Sequence, residues 1–293
     1  MTRSEGTTLP ALEGGAVRQS SRGTSRSEEM RLKKGPWKPR TLFVFGILAM
    51  LAVAYGDGKG RAETEPGRGL TFLYRARKLG IPILQASIKI RSGLVEQNKP
   101  LLQMDAHIES LPALGLLFRI NNHFTSVMEA ETLIPIRYVK VIDQEGLLRE
   151  RKNYTQTILF DPVGRKAILE KKGENKRVEV TLPASTYDPL SVFARCYLRE
   201  DLEADQDIRV SLYDGVKPRE MVFHSTKERV DSKMFGEVET IRLESSTTFS
   251  SFGEKEGIIR IWFTTGKAKW PLSIELDLPA GDVKFELEGV EGN

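Results

Sequence analysis

The residues that could carry chemistry in this sequence are few, and they do not form a familiar catalytic set. The chain has one cysteine, Cys196, and three histidines, His107, His123 and His224, without the spacing of a local zinc site. It also lacks the Gly-x-Ser-x-Gly turn of serine hydrolases and the glycine-rich loops that bind phosphates. We therefore predict no catalytic residue, no metal site and no cofactor, and we expect these four side chains to be ordinary surface or core residues.

Asp188 is the carboxylate with the most informative surroundings. Pro189 and Ser191 follow it, as expected for a helix N-cap with proline at the first helical position. An apolar stripe at helical spacing comes next, formed by Leu190, Phe193, Ala194, Tyr197 and Leu198. We predict a helix over 189–199 that begins with the structural motif Asp188, Pro189 and Ser191. In the alternative, Asp188 is a general acid or base of a cell-wall carbohydrate hydrolase.

The rest of the chain after residue 70 has the pattern of β-strands. In Leu84–Arg91 and again in Leu102–Glu109, apolar and polar residues alternate, so one side of each strand is buried and the other is wet. Turn sequences such as Asp161-Pro162-Val163-Gly164 and Asp214-Gly215 separate many of these segments. About fourteen short strands at this spacing predict an all-β fold, a curved antiparallel sheet or open β-barrel with one short helix.

Candidate ligand-binding residues come from two places that are richer in large apolar side chains than a connection needs. Leu111–Phe118 is a nearly continuous apolar stretch that contains proline and glycine, and it is either packed core or a lid over an apolar cavity. Trp262 and Trp270 lie on or beside late strands, where they either pack in the core or line an apolar opening. The predicted ligand-binding residues are Leu114, Leu117, Phe118, Trp262 and Trp270.

The N-terminal part has the pattern of an export signal. Lysines and an arginine precede the apolar run Leu42–Ala54, and the run ends in Ala-Val-Ala, as in a secretory signal peptide. As a helix the run is about 20 Å long, shorter than the roughly 30 Å hydrocarbon core of a bilayer. We interpret residues 1–54 as a disordered N-terminus plus signal peptide with Met30 as the true start, 55–69 as a linker, and 70–293 as a single β-rich domain.

This organisation predicts a periplasmic or secreted protein after cleavage of the signal peptide. The alternative is an anchor in the inner membrane formed by 42–54, which is then the one part that contacts lipid. A long cytoplasmic extension before the apolar run is a second open possibility for residues 1–29. The basic balance of 44 Lys and Arg against 40 Asp and Glu comes from the N-terminal part, because residues 1–54 hold nine basic and four acidic residues. We therefore expect no nucleic-acid partner.

A set of short motifs, in order along the chain, resembles the bacterial family catalogued as domain of unknown function 3108. They are Tyr74 with Gly80-Ile81, then Asp188-Pro189-Leu190-Ser191, Ile261-Trp262, Trp270-Pro271-Leu272 and Gly281-Asp282-Val283-Lys284-Phe285-Glu286-Leu287. The likeness extends from about Leu70 to Leu287. The resemblance implies a secreted or periplasmic, strand-rich envelope protein, and it brings no activity with it.

The function hypothesis is a non-enzymatic, exported bacterial envelope protein that binds an apolar ligand, such as a lipid, on the concave face of its sheet. An envelope assembly or structural partner that pairs through strand edges is the alternative from another class. The carbohydrate hydrolase is the third, so enzymatic activity stays an open question at this point.

Overall fold

The computed structural model describes residues 69–78, 80–115, 117–146, 149–174, 177–249, 255–277 and 282–292. The predicted N-terminal segment and signal peptide of 1–54, and the linker up to residue 68, lie outside these ranges and stay predictions. Within these ranges, no helix is long and apolar enough to cross a membrane.

Fifteen strands, one α-helix and one 3₁₀ turn make up the described chain. The strands are β1 (Leu70–Lys78), β2 (Ile81–Glu96), β3 (Lys99–Ser110), β4 (Phe118–Glu129), β5 (Pro135–Gly146), β6 (Arg149–Asp161), β7 (Lys166–Lys171), β8 (Arg177–Thr181), β9 (Thr186–Tyr187), β10 (Asp207–Leu212), β11 (Arg219–Ser232), β12 (Gly236–Phe249), β13 (Lys255–Thr264), β14 (Pro271–Asp277) and β15 (Val283–Gly292). The helix α1 spans Pro189–Leu198, and the 3₁₀ turn spans Pro112–Leu114.

All strands belong to one sheet, in the order β8-β7-β6-β5-β4-β3-β2-β1-β15-β14-β13-β12-β11-β10-β9. Every neighbouring pair is antiparallel except β9 with β10. The first and last strands, β1 and β15, lie side by side in the middle, and β8 and β9 form the two edges. Within the described residues these edges do not pair with each other, so the sheet is open.

The sheet must curl strongly, because the chain passes directly from one edge to the other. β8 ends at Thr181 and β9 begins at Thr186, and an extended chain between these residues spans at most about 17 Å. Fifteen strands laid flat would extend over about 65 Å at the usual strand spacing. The two edges are therefore brought near each other, and one face of the sheet becomes concave.

Alternating burial shows which side chains face the concave side. In β1 the residues Leu70, Phe72, Tyr74 and Ala76 are buried and those between them are partly exposed. Their register partners on β2, including Ile88 and Ala86, are buried as well. The outer face carries ion pairs between neighbouring strands, such as Arg260 with Glu244 and Glu275. The concave side therefore holds the core.

Helix α1 lies inside this concave side. Asp188 is the N-cap and forms a capping box with Ser191, and Pro189 occupies the first turn. The helix buries nearly its whole circumference, including Val192 and Cys196, which lie outside the predicted stripe. A helix that is apolar all round belongs in a core rather than on a surface.

The contacts of α1 show which strands enclose it. The ring of Tyr197 meets Phe72 of β1 edge-on at 5.3 Å between centroids, and Phe193 lies 6.0 Å from Phe263 of β13. The helix therefore fills the space between the two halves of the sheet. The predicted fold class, a curved antiparallel sheet or open barrel with one short helix, is confirmed.

Candidate functional site

The interior is apolar except for a small number of buried polar residues that come from distant strands. Asn122 and Ser126 of β4 and Lys140 of β5 occupy inward positions of the alternating pattern. Asp188 at the start of α1 and Asp214, which follows β10, are buried too. Buried polar groups in a native fold are normally hydrogen-bonded, so the partners of each group indicate its role.

Asp188 uses its carboxylate to hold the start of the helix. Its Oδ1 accepts hydrogen bonds from the backbone N–H groups of Leu190 at 2.8 Å and Ser191 at 3.1 Å, and its Oδ2 accepts from the Ser126 hydroxyl at 2.6 Å. Burial raises the pKa of Asp188 to about 6, and these three donors act in the opposite direction. The Asp188 carboxylate therefore caps the helix and connects it to β4 through Ser126.

A second buried group lies where the two ends of the curled sheet approach each other. The Lys140 ammonium donates to the backbone carbonyl of Asp214 at 2.6 Å, and Arg219 forms a 3.0 Å ion pair with the Asp214 carboxylate. Nearby, the rings of Phe160 and Tyr213 meet edge-on at 6.4 Å. We call the junction between β5–β7 and the 213–218 loop the seam.

Tyr138 completes this group, because it lies on β5 two residues before Lys140, on the same face, and the charge of Asp214 affects its pKa. Burial, with the negative charges of Asp188 and Asp214, raises the pKa of Tyr138, so its phenol stays neutral. We refer to Tyr138, Lys140, Asp214 and Arg219 as the seam cluster. Burial lowers the pKa of Lys140 to about 8, assisted by Arg219 and opposed by Asp214.

Several buried polar atoms have no hydrogen-bond partner within the described part of the chain. On the inner side they are the hydroxyls of Tyr74, Tyr138 and Tyr197, Nδ2 of Asn122 and, in the seam cluster, Nε of Arg219. An unpaired buried polar group costs about 1–3 kcal/mol, so such groups are normally paired with water or with a ligand. These atoms are therefore candidate contact points for a buried water or a ligand.

The unpartnered atoms outside the seam cluster are related by the register of the strands. Tyr74 pairs with Ala86, Ala86 with Ile108, and Ile108 with Asn122, which places Tyr74 and Asn122 on one transverse row of the inner face. Tyr197 reaches the same region from α1, since its charge state affects the pKa of Tyr74. The polar atoms thus lie along the inside of the sheet between α1 and strands β1–β5.

The remaining chemically interesting side chains are not part of this interior. His107 and His123 are cross-strand partners on the outer face, and their rings stack in parallel at 3.8 Å. His224 contacts Asp207 at the surface. Burial raises the pKa of Cys196 to about 12, which makes its thiol unreactive. Among the described residues, no group of three or more His, Cys, Asp or Glu could hold a metal ion.

Comparison with known proteins places this fold in a family. The family described as "Protein of unknown function (DUF3108)" matches residues 71–288. The chain belongs to the DUF3108 family. This confirms the resemblance found in the sequence. The match covers the described strands from β1 to β15 and therefore includes both Asp188 and the seam cluster.

No curated protein matches this DUF3108 chain. Among solved structures, the beta-barrel-like protein of domain of unknown function DUF1849 from Brucella abortus is similar, with 8% sequence identity and a TM-score of 0.49. That alignment covers 76% of this chain and 97% of the Brucella abortus chain.

The structure does not bring the five predicted ligand-binding residues of the DUF3108 domain together. Leu114 and Phe118 are half-buried and Leu117 is 57% exposed, all in the connection between β3 and β4. Trp270 is half-buried in the connection between β13 and β14, and its ring is 6.2 Å from Phe72. Because the strands are antiparallel, this connection and the one between β3 and β4 lie at opposite ends of the strands. Ligand binding by these residues stays a prediction.

Trp262 lies on the outer face, because its neighbour Phe263 is the one that points into the core. Its register partners are Arg242 and Ser273, its indole N–H donates to the Glu228 carboxylate, and the Lys284 ammonium lies 5.1 Å from the ring centroid. It is nevertheless only 6% exposed. Trp262 is thus covered by the charged side chains of the outer face.

Sequence reasoning missed the seam cluster, although part of the signal was present. Lys140 has the same parity as Tyr138 and Ile142 in the alternating pattern of β5, so a lysine stands where an apolar residue is expected. Asn122 interrupts the inward positions of β4 in the same way. A charged or amide side chain at a core position of a strand was the observation that could have located this site.

Proposed function

We propose that this DUF3108 protein is a non-enzymatic, exported envelope protein that binds a lipid-like ligand inside its curved sheet. The observation that supports this function most directly is the set of polar atoms of Tyr74, Asn122, Tyr138 and Tyr197 that have no partner among the described residues and lie in a mainly apolar interior. A mainly apolar environment with a small number of polar groups to fix orientation is typical of small-molecule sites.

Binding fits the buried reactive groups better than catalysis does. The carboxylate of Asp188 is engaged by two backbone N–H groups and by Ser126 at the start of α1. A general acid or base must reach a proton of the substrate, and each oxygen of Asp188 already accepts a hydrogen bond from the protein. The hydrolase alternative therefore has the weakest structural support of the three hypotheses.

The proposal is tested with protein purified under native conditions from the bacterium that makes it. We expect organic extraction followed by mass spectrometry to recover a lipid in an amount comparable to the protein, and delipidated protein to bind the fluorescent fatty acid cis-parinaric acid. Tyr197→Phe removes one unpartnered hydroxyl and should lower the affinity for the probe. Tyr187→Phe, whose hydroxyl is outside that set, is the control and should leave the affinity unchanged. Absence of both a co-purified lipid and probe binding would overturn the proposal.

We also propose that the protein works in the periplasm or outside the cell. The support is the apolar run at 42–54 with its basic flank, which lies outside the described residues. Cell fractionation and the N-terminal sequence of the mature protein test this location. An N-terminus just after residue 54 indicates a cleaved signal peptide, an intact 42–54 in the membrane fraction indicates an anchor, and an intact chain in the cytosol contradicts export.

The assembly alternative is favoured by one feature, the edge strand β8. Its residues Arg177–Thr181 are mostly exposed, and within the described sheet β8 pairs only with β7. A free edge of this kind can receive a strand of another protein. Crosslinking in living cells from a photoreactive residue at Glu179 should then capture a partner of defined mass, and recovery of only uncrosslinked protein argues against this function.

A further inference from the structure

The seam cluster contains more hydrogen-bond donors than acceptors. The Lys140 ammonium has three N–H donors, and the carbonyl of Asp214 is the one acceptor that the described residues give it. Arg219 donates to the Asp214 carboxylate through one terminal nitrogen, but neither its Nε nor the Tyr138 hydroxyl has a partner within the part of the chain that the structure describes. A site with surplus donors is completed by a group that only accepts hydrogen bonds.

The charges in the seam cluster are unbalanced in the same direction. Lys140 and Arg219 carry two positive charges around one carboxylate, Asp214, and the side chains of Arg219 and Asp214 are only 11% and 9% exposed. Burial lowers the pKa of Lys140 to about 8, so the ammonium is still mainly protonated at neutral pH. Asp188 acts on Tyr138 of the cluster, but its carboxylate is held by backbone donors at the start of α1, and it is not among the groups that shift the pKa of Lys140.

We infer that the seam cluster binds the anionic end, a carboxylate or phosphate, of an amphipathic ligand whose apolar part lies along the inner face of the sheet. This inference rests on the proposed function and adds to it the charge of the ligand and the position of its head group. An oxyanion supplies acceptors for Lys140, for Nε of Arg219 and for the Tyr138 hydroxyl, and its charge offsets the surplus positive charge.

The surroundings of the cluster favour an amphipathic ligand over a free ion. Tyr138 stacks against Phe124 at 6.4 Å, and its register partner on β6 is the buried Ile158. Apolar side chains therefore border the polar group on the side of the strands. A lipid with an acidic head group matches both parts of this environment.

The seam also brings the cluster close to solvent. The two sides meet there through side chains and the 213–218 loop rather than through a strand ladder. The loop is closely packed at Gly215, which has a φ of +91° and whose added Cβ would lie 2.9 Å from a methyl group of Ile158. Next to it Val216 is exposed, so one residue separates the packed part of the loop from solvent.

The test compares two probes on the delipidated full-length protein: cis-parinaric acid and its methyl ester. They share the same chain, but only the acid carries a charge. We expect wild-type protein to bind the acid at least about tenfold more tightly than the ester, the range of one charge-assisted hydrogen bond. Lys140→Gln should bring this ratio close to one, whereas Lys227→Gln, which removes an exposed lysine near the far end of β11, should leave it unchanged.

The possible results separate this inference from the proposed function. Equal binding of acid and ester by wild-type protein overturns the anionic head group and leaves lipid binding in place. Failure of both probes overturns both proposals. If inorganic phosphate alone raises the melting temperature of the wild type but not of Lys140→Gln, while neither probe binds, the cluster takes a free anion and the amphipathic ligand is wrong.

The comparison does not depend on one variant. The ratio of acid to ester affinity is measured on the wild type itself, without any substitution. Arg219→Lys provides a second variant, because it keeps the positive charge but removes the unpartnered Nε. We expect Arg219→Lys to lower the preference for the acid by a smaller factor than Lys140→Gln does. An unchanged preference in both variants would place the acid elsewhere and contradict the inference.

Discussion

Lys140 and Asp214 are joined by a 2.6 Å hydrogen bond, although nine strands lie between β5 and β10 in the order of the sheet. The bond runs from the Lys140 ammonium to the backbone carbonyl of Asp214, and both residues are almost fully buried. It therefore joins two strands of the sheet that do not pair directly with each other. The same side chain joins these two parts of the fold and, in our proposal, binds the ligand.

The first prediction concerns how stability depends on pH through Lys140. Its pKa falls from 10.5 in the unfolded chain to about 8 in the fold, so the unfolded chain takes up the proton first as the pH decreases. The contribution of Lys140 to the free energy of unfolding is therefore complete above pH 10.5, and it is lost as the pH falls to about 8. The free energy of unfolding of the wild type, relative to Lys140→Met, should therefore rise with pH in this window, by at most about 1.4 kcal/mol per pH unit.

Urea unfolding of both proteins at several pH values between 8 and 10 measures this difference. The two proteins are compared because Cys196, whose pKa is raised to about 12, makes the free energy of unfolding fall with rising pH in both of them. This effect cancels when one value is subtracted from the other. A difference between wild type and Lys140→Met that stays constant with pH would show that the ammonium is not desolvated in the fold.

The second prediction separates the two interpretations of Asp188. Asp188→Ala removes the acceptor for two backbone N–H groups and for Ser126, and should lower the free energy of unfolding by about 2 kcal/mol. Asp188→Asn keeps an oxygen for the backbone, and its amide can donate to the Ser126 hydroxyl, so the loss should be below about 1 kcal/mol. Chemical denaturation measures both values.

Asp231→Ala, at an exposed position of β11, is the matched control and should change stability by less than about 0.5 kcal/mol. Equal losses in Asp188→Ala and Asp188→Asn would mean that the charge, rather than the cap, is what the fold needs. An Asn variant of wild-type stability that loses a carbohydrate-cleaving activity would revive the hydrolase alternative.

The third prediction tests whether α1 is part of the core. Phe193 is 2% exposed and contacts Phe263 across the interior, so Phe193→Ala leaves a cavity and should destabilise the protein by about 3–5 kcal/mol. Val163→Ala, at a position 94% exposed, should change stability by less than about 0.5 kcal/mol. A small loss for Phe193→Ala, measured by thermal unfolding, would show that the helix can leave the sheet at little cost.

The features that could be predicted from the sequence are those set by neighbouring residues. Alternation along Leu84–Arg91 places one face of the strand in the core, because side chains of a strand point to opposite sides. The cap at Asp188 follows from residues within three positions of it. Helix α1 ends at Leu198, one residue before the predicted end, which is within the usual uncertainty of a helix terminus.

The features that could not be predicted depend on strands that are distant in the chain. Nothing near Lys140 indicates that Asp214 will reach it, because that contact exists only after the whole sheet has curled. The sequence predicts Trp262 as a ligand-binding residue, yet Arg242, Ser273 and Lys284 from three other strands surround it on the outer face. Local pattern gives the parity of a residue, and the register with other strands determines what it contacts.

The fourth prediction concerns the stacked histidines of the outer face. Burial and the neighbouring His107 lower the pKa of His123, because a second positive charge next to a ring at 3.8 Å is unfavourable. Its contribution to stability is therefore complete above the ordinary histidine pKa of 6.5 and is lost as the pH falls through the lowered value. We expect the free energy of unfolding of wild type, relative to His123→Gln, to decrease from pH 7 towards pH 5. NMR titration of the His123 ring gives an independent check. A measured pKa of His123 at or above the ordinary histidine value would contradict the stacked arrangement.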